Sequence, residues 1–516
     1  MDKPVLHGTL TIAVAGASLI AITSITSPAP GVQAPTVALR GVDNADSPLG
    51  DGAALVMGPS GFATPPPSYV AAADSLFLQP QPYDFTGTPH ATFLPQDPFP
   101  VSPLSLTTDT TLAHDQQILD ADILDRIAGG HVGAANPVVV FGWSQSSTVS
   151  SLTMSQLASQ GVPSDEVHFV LVGDPNAPNG GVVERFDVPP GTSPSFPSLD
   201  ITFNGATPDN LYPTDIYTIE YDGYADFPQY PIDPISDLND FFGLILAHGL
   251  YLGLTPEQIA SAQLLPASAA DTLTDYYMIP NAQLPLLEPL ELLPVVGQPL
   301  YDLLEPDTRI LVDLGYGSIT EGWSQGYANV PTTFGLFPTN LPLTDVIAAL
   351  GNGLQRGVTD AINQLLSPDN YQLTAFLDNP ALSTLVKVAS ASGFNVNDSS
   401  QNLLSSVVAY LGFPTSDATL TSSPIAIIDD LAGTFSGDYA ALGQVVRTVI
   451  AILFDLPLYD ESIITDQIDA GNLLGAIGDP IAADTALVPF VLTFGALAPV
   501  GEAALGTLGN LVDLFA

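Results

Sequence analysis

At 516 residues and 46% hydrophobic, the chain can bury large cores and is long enough for roughly two or three domains. Its 8 Lys and Arg stand against 54 Asp and Glu, a formal net charge of −46 that excludes nucleic acid as a partner and repels anionic lipid headgroups. Any membrane or cell-envelope contact must therefore be apolar or involve uncharged lipids, and with no cysteine in the chain, stability rests on packing rather than disulfides.

Residues 1–34 carry Lys3 and then no charge before Arg40, with an apolar run from Leu10 to Ile22 and Val32-Gln33-Ala34 ahead of Pro35. A basic start, a short apolar core and a small residue before the cut predict a secretory signal peptide, or an N-terminal anchor if it is retained. Either way the chain is expected to be secreted or held at the cell envelope. Asp43, Asp46 and Asp51 follow in a polar lead-in. They do not form a calcium loop, because Ala45 occupies a ligand position and no Glu closes the set.

Ala53-Ala54-Leu55-Val56-Met57 then reads as a buried strand with Gly58-Pro59-Ser60-Gly61 as its loop, and Gln116 to Ala128 as a helix. The apolar run Pro137-Val138-Val139-Val140-Phe141 leads into Gly142-Trp143-Ser144-Gln145-Ser146. After it, Val149, Leu152, Met154, Leu157 and Ala158 recur at helical spacing up to Gly161 and Pro163. A serine on a sharp turn between a buried strand and a helix has the setting of a nucleophile. A near-copy, Gly322-Trp323-Ser324-Gln325-Gly326, fits the G-x-S-x-G pattern more closely. It is preceded by Gly315-Tyr316-Gly317-Ser318 and followed by Pro331, so it reads as a loop.

The chain has six histidines, at 7, 90, 114, 131, 168 and 248, and none follows Ser324. In strand-elbow-helix hydrolases the order along the chain is serine, acid, histidine, which leaves His168 and His248 for Ser144. His168 lies inside the strand-like Val167–Val172 with only Asp165 and Glu166 before it, so His248 is preferred. For the acid, the strand-like Ile216–Tyr221 runs into Asp222-Gly223-Tyr224-Ala225-Asp226-Phe227-Pro228, and the loop beyond such a strand is where an imidazole-orienting carboxylate belongs. Asp226 is the favoured residue, with Asp222 and, in Gly173-Asp174-Pro175, Asp174 as alternatives. The backbone N–H of Gln145 and the loop residue Ser60 are the candidate oxyanion donors. No histidine spacing suggests a metal, and no phosphate loop or dinucleotide fingerprint appears, so neither metal nor cofactor is expected.

Residues 176–210 are rich in Pro, Gly and Ser and predict a long excursion that shapes the substrate entrance. Beyond about residue 296 the texture becomes leucine-rich and proline-broken, with helical patterns from Leu343 to Leu366 and from Leu442 to Phe454. Residues 485–501 are uncharged, but Pro489 and Pro499 predict interrupted, buried or interfacial helices rather than a membrane span. This half is expected either to cap the catalytic mouth and accept acyl chains or to pack as an accessory domain.

Four motifs in order carry a family resemblance: Leu55–Gly61 through Tyr69, the Gly142–Ser146 elbow, Gly173-Asp174-Pro175-Asn176, and Tyr221–Pro228, extended by Ala247-His248-Gly249. Together they resemble the PE-PPE domain of mycobacterial proteins, a serine α/β-hydrolase related to cutinases, over roughly residues 50 to 295. Ser146 stands where the cutinase elbow has Gly, and no PE or PPE segment is recognisable. The resemblance implies an α/β-hydrolase with a mainly parallel sheet over residues 35–295, followed by a helical region over 296–516. It also implies an esterase-like triad of Ser144, Asp226 and His248 acting on acyl ester or lipid substrates. Some relatives move fatty acyl groups between trehalose glycolipids, so a glycolipid acceptor in place of water is the alternative, and a catalytically silent binding protein is the third reading.

Overall fold

The structure, a computed structural model, describes residues 49–80, 82–96, 106–268, 272–371, 380–391, 439–501 and 503. The expected signal or anchor over residues 1–34 and the lead-in residues Asp43 and Asp46 lie outside them.

The described strands are β1 (Ala53–Val56), β2 (Thr88–Ala91), β3 (Val138–Trp143), β4 (Val167–Val172), β5 (Ser195–Phe196), β6 (Ile201–Thr202), β7 (Thr214–Ile219), β8 (Gln263–Leu264) and β9 (Thr274–Ile279). Seven of them form one sheet in the order β2-β1-β3-β4-β7-β9-β8. Every pairing in it is parallel except β8 with β9 at the edge. The period-2 geometry of a strand sends neighbours to opposite faces. Val139, Phe141 and Trp143 accordingly enter one core with Val170, Val172, Tyr217 and Ile219, while Val138 and Val140 enter the other with Phe169, Leu171 and Ile216. Both faces are covered, which is why β3 reads as an unbroken apolar run.

On one face lie the helix Pro67–Ala73 and the turn His248–Gly253; on the other lie the helices Thr108–Ala128 and Gln145–Gln160. This is the α/β-hydrolase arrangement, and it aligns the carboxyl ends of β3, β4 and β7 along one rim. The helix expected from Gln116 starts at Thr108. Its first turns are threonine-rich and lack apolar periodicity, yet Thr111, Leu112 and Asp115 are buried.

The C-terminal half is helical, as expected. Helix Leu343–Leu366 packs on Gly297–Leu314 through Gly353 and Gly357, where an added Cβ would collide with Asp307 and with the Leu303 carbonyl. The helices Tyr439–Asp469 and Leu473–Gly501 are long and apolar enough to cross a membrane by length and composition, with mean hydropathy 1.6 and 1.8. The prolines expected to interrupt residues 485–501 do not do so. Helix Leu473–Leu492 runs through Pro480 and Pro489, and π-turns at Ala451–Asp455 and Thr493–Leu497 lie just before Pro457 and Pro499. The extra residue in such a turn accommodates the hydrogen bond that proline cannot donate.

These two helices seat on the segment expected to border an entrance. Leu456, Tyr459, Ile463, Ala482, Ala483 and Leu487 share a core with Val182, Phe186, Phe196, Phe203 and Phe227. The Tyr459 hydroxyl donates to Phe186 O at 3.0 Å, and Asp455 accepts the Ser198 N–H at 2.8 Å. Sequence periodicity missed this core because its phenylalanines lie on short turns and the two-stranded β5-β6 ribbon.

Several buried carboxyls make stability fall with pH. Burial, reinforced by the charge of Glu291, pushes Glu288 up to about 8, while burial raises Glu291 to about 7 and Asp313 to about 7. A carboxyl whose pKa is raised by folding carries no penalty below its unfolded value near ~4 and a growing one as pH climbs to its folded value. Stability is thus expected to drop between about pH 4.5 and about pH 8 by on the order of a few kcal/mol. Thermal melts across that interval check this, with Glu288→Gln flattening the slope; a midpoint that climbs with pH overturns the assignment.

Candidate active site

Ser144 occupies the sharp turn between β3 and helix Gln145–Gln160 with φ 61° and ψ −122°, a conformation that residues with a Cβ avoid and that is held only where the surroundings impose it. The Ser144 N–H donates to Val172 O at 3.2 Å, and the Ser147 N–H donates to Ser144 O at 2.9 Å. Gly142 leaves little room for a side chain here, since a Cβ would lie 3.0 Å from Ser146 O and 3.1 Å from Ser147 N. Ser146 fits where the resemblance has Gly because its hydroxyl turns back onto Trp143, accepting its N–H at 2.8 Å and donating to its carbonyl at 3.0 Å.

His248 opens the turn that follows helix Pro234–Leu246. Its Nδ1 lies 2.8 Å and 2.9 Å from the two oxygens of Asp222. Its Nε2 is buried and has no hydrogen-bond partner among the described residues. The Tyr251 hydroxyl donates to Asp222 Oδ2 at 2.6 Å and accepts the Ile219 N–H at 3.0 Å, while Asp222 Oδ1 also accepts the Tyr224 N–H at 3.0 Å. Asp222 is therefore fixed from three sides. Gly173, at φ 56°, ends β4 directly against this cluster: a Cβ would sit 2.8 Å from the Tyr251 ring, 2.9 Å from His248 Cε1 and 3.1 Å from Asp222 Oδ2. Because the neighbouring Val172 carbonyl holds the Ser144 amide, Ser144 and the imidazole flank the same point on the rim.

In the structure it is Asp222, not the expected Asp226, that pairs with His248. Tyr221 takes φ 64° at the end of β7, and Asp226 folds back beneath that turn, its Oδ2 accepting the Tyr221 N–H at 2.9 Å and its own N–H donating to Asp222 O at 2.7 Å. Asp226 thus shapes the loop that presents Asp222. Burial drives the Asp226 carboxyl well above the ordinary carboxylate range, against the Tyr221 bond that favours its charge. Asp174 does not reach the imidazole either. It accepts the Thr207 hydroxyl at 2.7 Å and the Asn176 N–H at 3.0 Å, and burial raises it to about 6. His168 pairs with Asp215 at 2.7 Å, from β4 to β7 within the sheet.

The second Gly-Trp-Ser-Gln-Gly copy is a loop. The Ser324 hydroxyl accepts a hydrogen bond from the buried Arg185 guanidinium, and the Gly322 N–H donates to Glu220 at 2.9 Å.

Of the expected oxyanion donors, the Gln145 N–H belongs to the first residue of its helix, where no preceding turn supplies an acceptor. Ser60 is exposed on the loop after β1. That loop is held beside the elbow by the Met57 N–H to Phe141 O bond at 3.1 Å, by the Tyr69 hydroxyl to Met57 O bond at 2.9 Å, and by Tyr69 stacking on Trp143 at 6.0 Å. Among the described residues no group of three or more His, Cys, Asp or Glu is placed to hold a metal ion. Sequence reasoning missed Tyr251. Its signal was the three-residue spacing from His248, which sets both side chains on one side of a helical turn.

The PE-PPE domain model matches residues 86–317. The PPE family protein PPE28 of Mycobacterium tuberculosis (strain ATCC 25618 / H37Rv) is 38% identical over 467 residues, covering 88% of this chain and 67% of that protein. Esterase PE16 of the same strain is 42% identical over 352 residues, covering 64% of this chain and 62% of that protein. Diacyltrehalose acyltransferase Chp2, also of that strain, is 26% identical over 227 residues, 42% of this chain and 61% of that protein. A solved structure, a novel cutinase-like protein from Cryptococcus sp., superposes with a TM-score of 0.24 at 15% identity, covering 35% of this chain and 82% of that one. The chain spans about two thirds or less of the length of the three Mycobacterium tuberculosis relatives. With the PE-PPE match over every strand of the large sheet except β1, and a PPE family relative aligned along 88% of this chain, the chain belongs to the PE-PPE domain family.

Proposed function

We propose that this chain is an exported serine esterase that hydrolyses acyl esters through an acyl-serine intermediate on Ser144. The observation that carries the reading is the buried Asp222–His248 pair, with Nε2 unpaired among the described residues, on the rim where the strained Ser144 turn lies. His248 Nε2 takes the Ser144 Oγ proton as Oγ bonds to the ester carbonyl carbon, and Asp222 keeps Nδ1 protonated and supports the imidazolium. The oxyanion is received by the Gln145 N–H and by the loop bearing Ser60. Collapse of the adduct breaks the C–O bond and returns the proton to the leaving alcohol. Water, deprotonated by the same nitrogen, then releases the carboxylic acid and restores Ser144. The likeness to Esterase PE16 supports this chemistry. The more distant likeness to Diacyltrehalose acyltransferase Chp2 supports a second reading, in which a sugar hydroxyl replaces water.

Covalent labelling with a membrane-impermeant fluorophosphonate tests the reading. On intact cells the probe is expected to mark the wild type and Ser324→Ala but not Ser144→Ala, each confirmed as folded. Label confined to lysates would overturn export, and label retained in Ser144→Ala would overturn the nucleophile. Adding a trehalose glycolipid to a turnover assay separates the two acceptors, because transfer diverts product from free acid to acylated sugar.

A further inference from the structure

A run of ring contacts leaves the imidazole and crosses onto the C-terminal half. Tyr224 lies 4.6 Å from His248, centroid to centroid, and meets Phe490 edge-on at 6.4 Å. Phe490 contacts Phe494 at 4.8 Å, Phe494 contacts Phe241 at 6.5 Å, and Phe241 contacts Phe242 at 6.0 Å. Phe490 and Phe494 are one turn apart on helix Leu473–Gly501, and Phe241 and Phe242 belong to helix Pro234–Leu246, which delivers His248.

Tyr224 packs against the sealed core beneath this run, and the four phenylalanines lie outside it. That core is filled by Ala482, Ala483, Leu487 and their partners, whereas Phe241, Phe242, Phe490 and Phe494 are all half-buried. Partly exposed rings that continue from Tyr224, which lies against a His248 whose Nε2 has no hydrogen-bond partner among the described residues, can cover a hydrocarbon chain whose carbonyl end lies at that nitrogen. The phenylalanines bear no charge or hydrogen-bonding group that would suit a polar ligand.

We propose that Tyr224, Phe241, Phe490 and Phe494 form an aromatic rail that binds the acyl chain of the ester, so that the C-terminal helix sets the chain-length preference. The proposal rests on the Ser144–His248 reading and assigns the helical half a role in substrate selection. Short acyl groups end before reaching Phe490, while longer ones lie along it.

The test compares p-nitrophenyl butanoate with p-nitrophenyl dodecanoate on wild type, Phe490→Ala and Phe490→Leu. Losing the ring should lower kcat/KM for the dodecanoate roughly tenfold, mainly through KM, and leave the butanoate within about twofold, the scale of discrimination that an apolar pocket provides. Phe490→Leu should recover most of the loss. If Phe490→Ala does not fold, Phe494→Ala carries the comparison with the same expectation. Folded variants that lose both esters equally, or neither, overturn the rail while leaving the esterase reading intact. A wild type that neither hydrolyses esters nor takes a fluorophosphonate overturns both.

Discussion

Asp222→Asn is expected to lower kcat for a soluble ester by about 10⁴-fold, whereas Asp226→Asn should leave it within about tenfold of wild type. The difference follows from what each carboxylate meets. Asp222 accepts from three directions: the His248 Nδ1–H, the Tyr251 hydroxyl and the Tyr224 N–H. An amide there must aim its NH₂ at one of these donors. If the NH₂ faces Tyr251, the buried Tyr251 O–H loses the acceptor it has in Asp222 Oδ2. If the NH₂ faces His248, Nδ1 must give up its proton and the nitrogen meant to deprotonate Ser144 becomes protonated. Among the described residues Asp226 makes one side-chain bond, from the Tyr221 N–H to Oδ2, and its buried Oδ1 has no partner. Asparagine keeps that acceptor, and a neutral group suits a site where burial already disfavours charge. Single-turnover and steady-state kinetics of both variants, with folding verified, decide the matter. A loss in Asp226→Asn as large as that in Asp222→Asn would remove the assignment of Asp222.

The contrast between those two aspartates also shows how far the sequence could be read. The elbow was legible because a buried parallel strand, a G-x-S-x-S turn and apolar residues at helical spacing are all local patterns, and the structure forms the strand, turn and helix at Val138–Trp143, Ser144 and Gln145–Gln160. His248 was reachable by counting, since so few histidines are available. The choice between Asp222 and Asp226 was not local. Both lie buried in one turn beyond β7, and which of them meets the imidazole depends on the left-handed conformation of Tyr221, a property that a tyrosine does not advertise. The seat for the C-terminal helices was hidden for a related reason. Phe186, Phe196 and Phe203 meet Tyr459 across more than 250 residues of chain, with Tyr459 bonded to Phe186 O at a sequence separation of 273. No periodicity within a short window reports such a contact, and the same non-locality conceals the ring path from His248 to Phe494.

The largest stability change is expected at Arg185, a residue that sequence alone left unremarked. Its guanidinium is wholly buried and donates to the carbonyls of Phe227 and Thr332, to Asn179 Oδ1 and to the Ser324 hydroxyl. Burial pushes it down to about 10, with the charges of Asp226 and Glu184 acting in the opposite direction, so at neutral pH it remains a cation whose donors are spent on protein acceptors. Arg185→Met keeps most of the volume but strands those acceptors away from water, and should cost roughly 3–5 kcal/mol of unfolding free energy. Ser324→Ala removes one of the acceptors and should cost about 1–2 kcal/mol with esterase turnover intact. Urea unfolding of the two single variants and the double variant measures both, and the double should fall short of the sum because the residues share a bond. Under this account the second Gly-Trp-Ser-Gln-Gly segment is a polar brace: its serine anchors residues 322–334 onto the turn after Gly181, close to the loop that presents Asp222. An Arg185→Met protein within about 1 kcal/mol of wild type would show that these acceptors find other partners, and would leave the second segment without a structural reason.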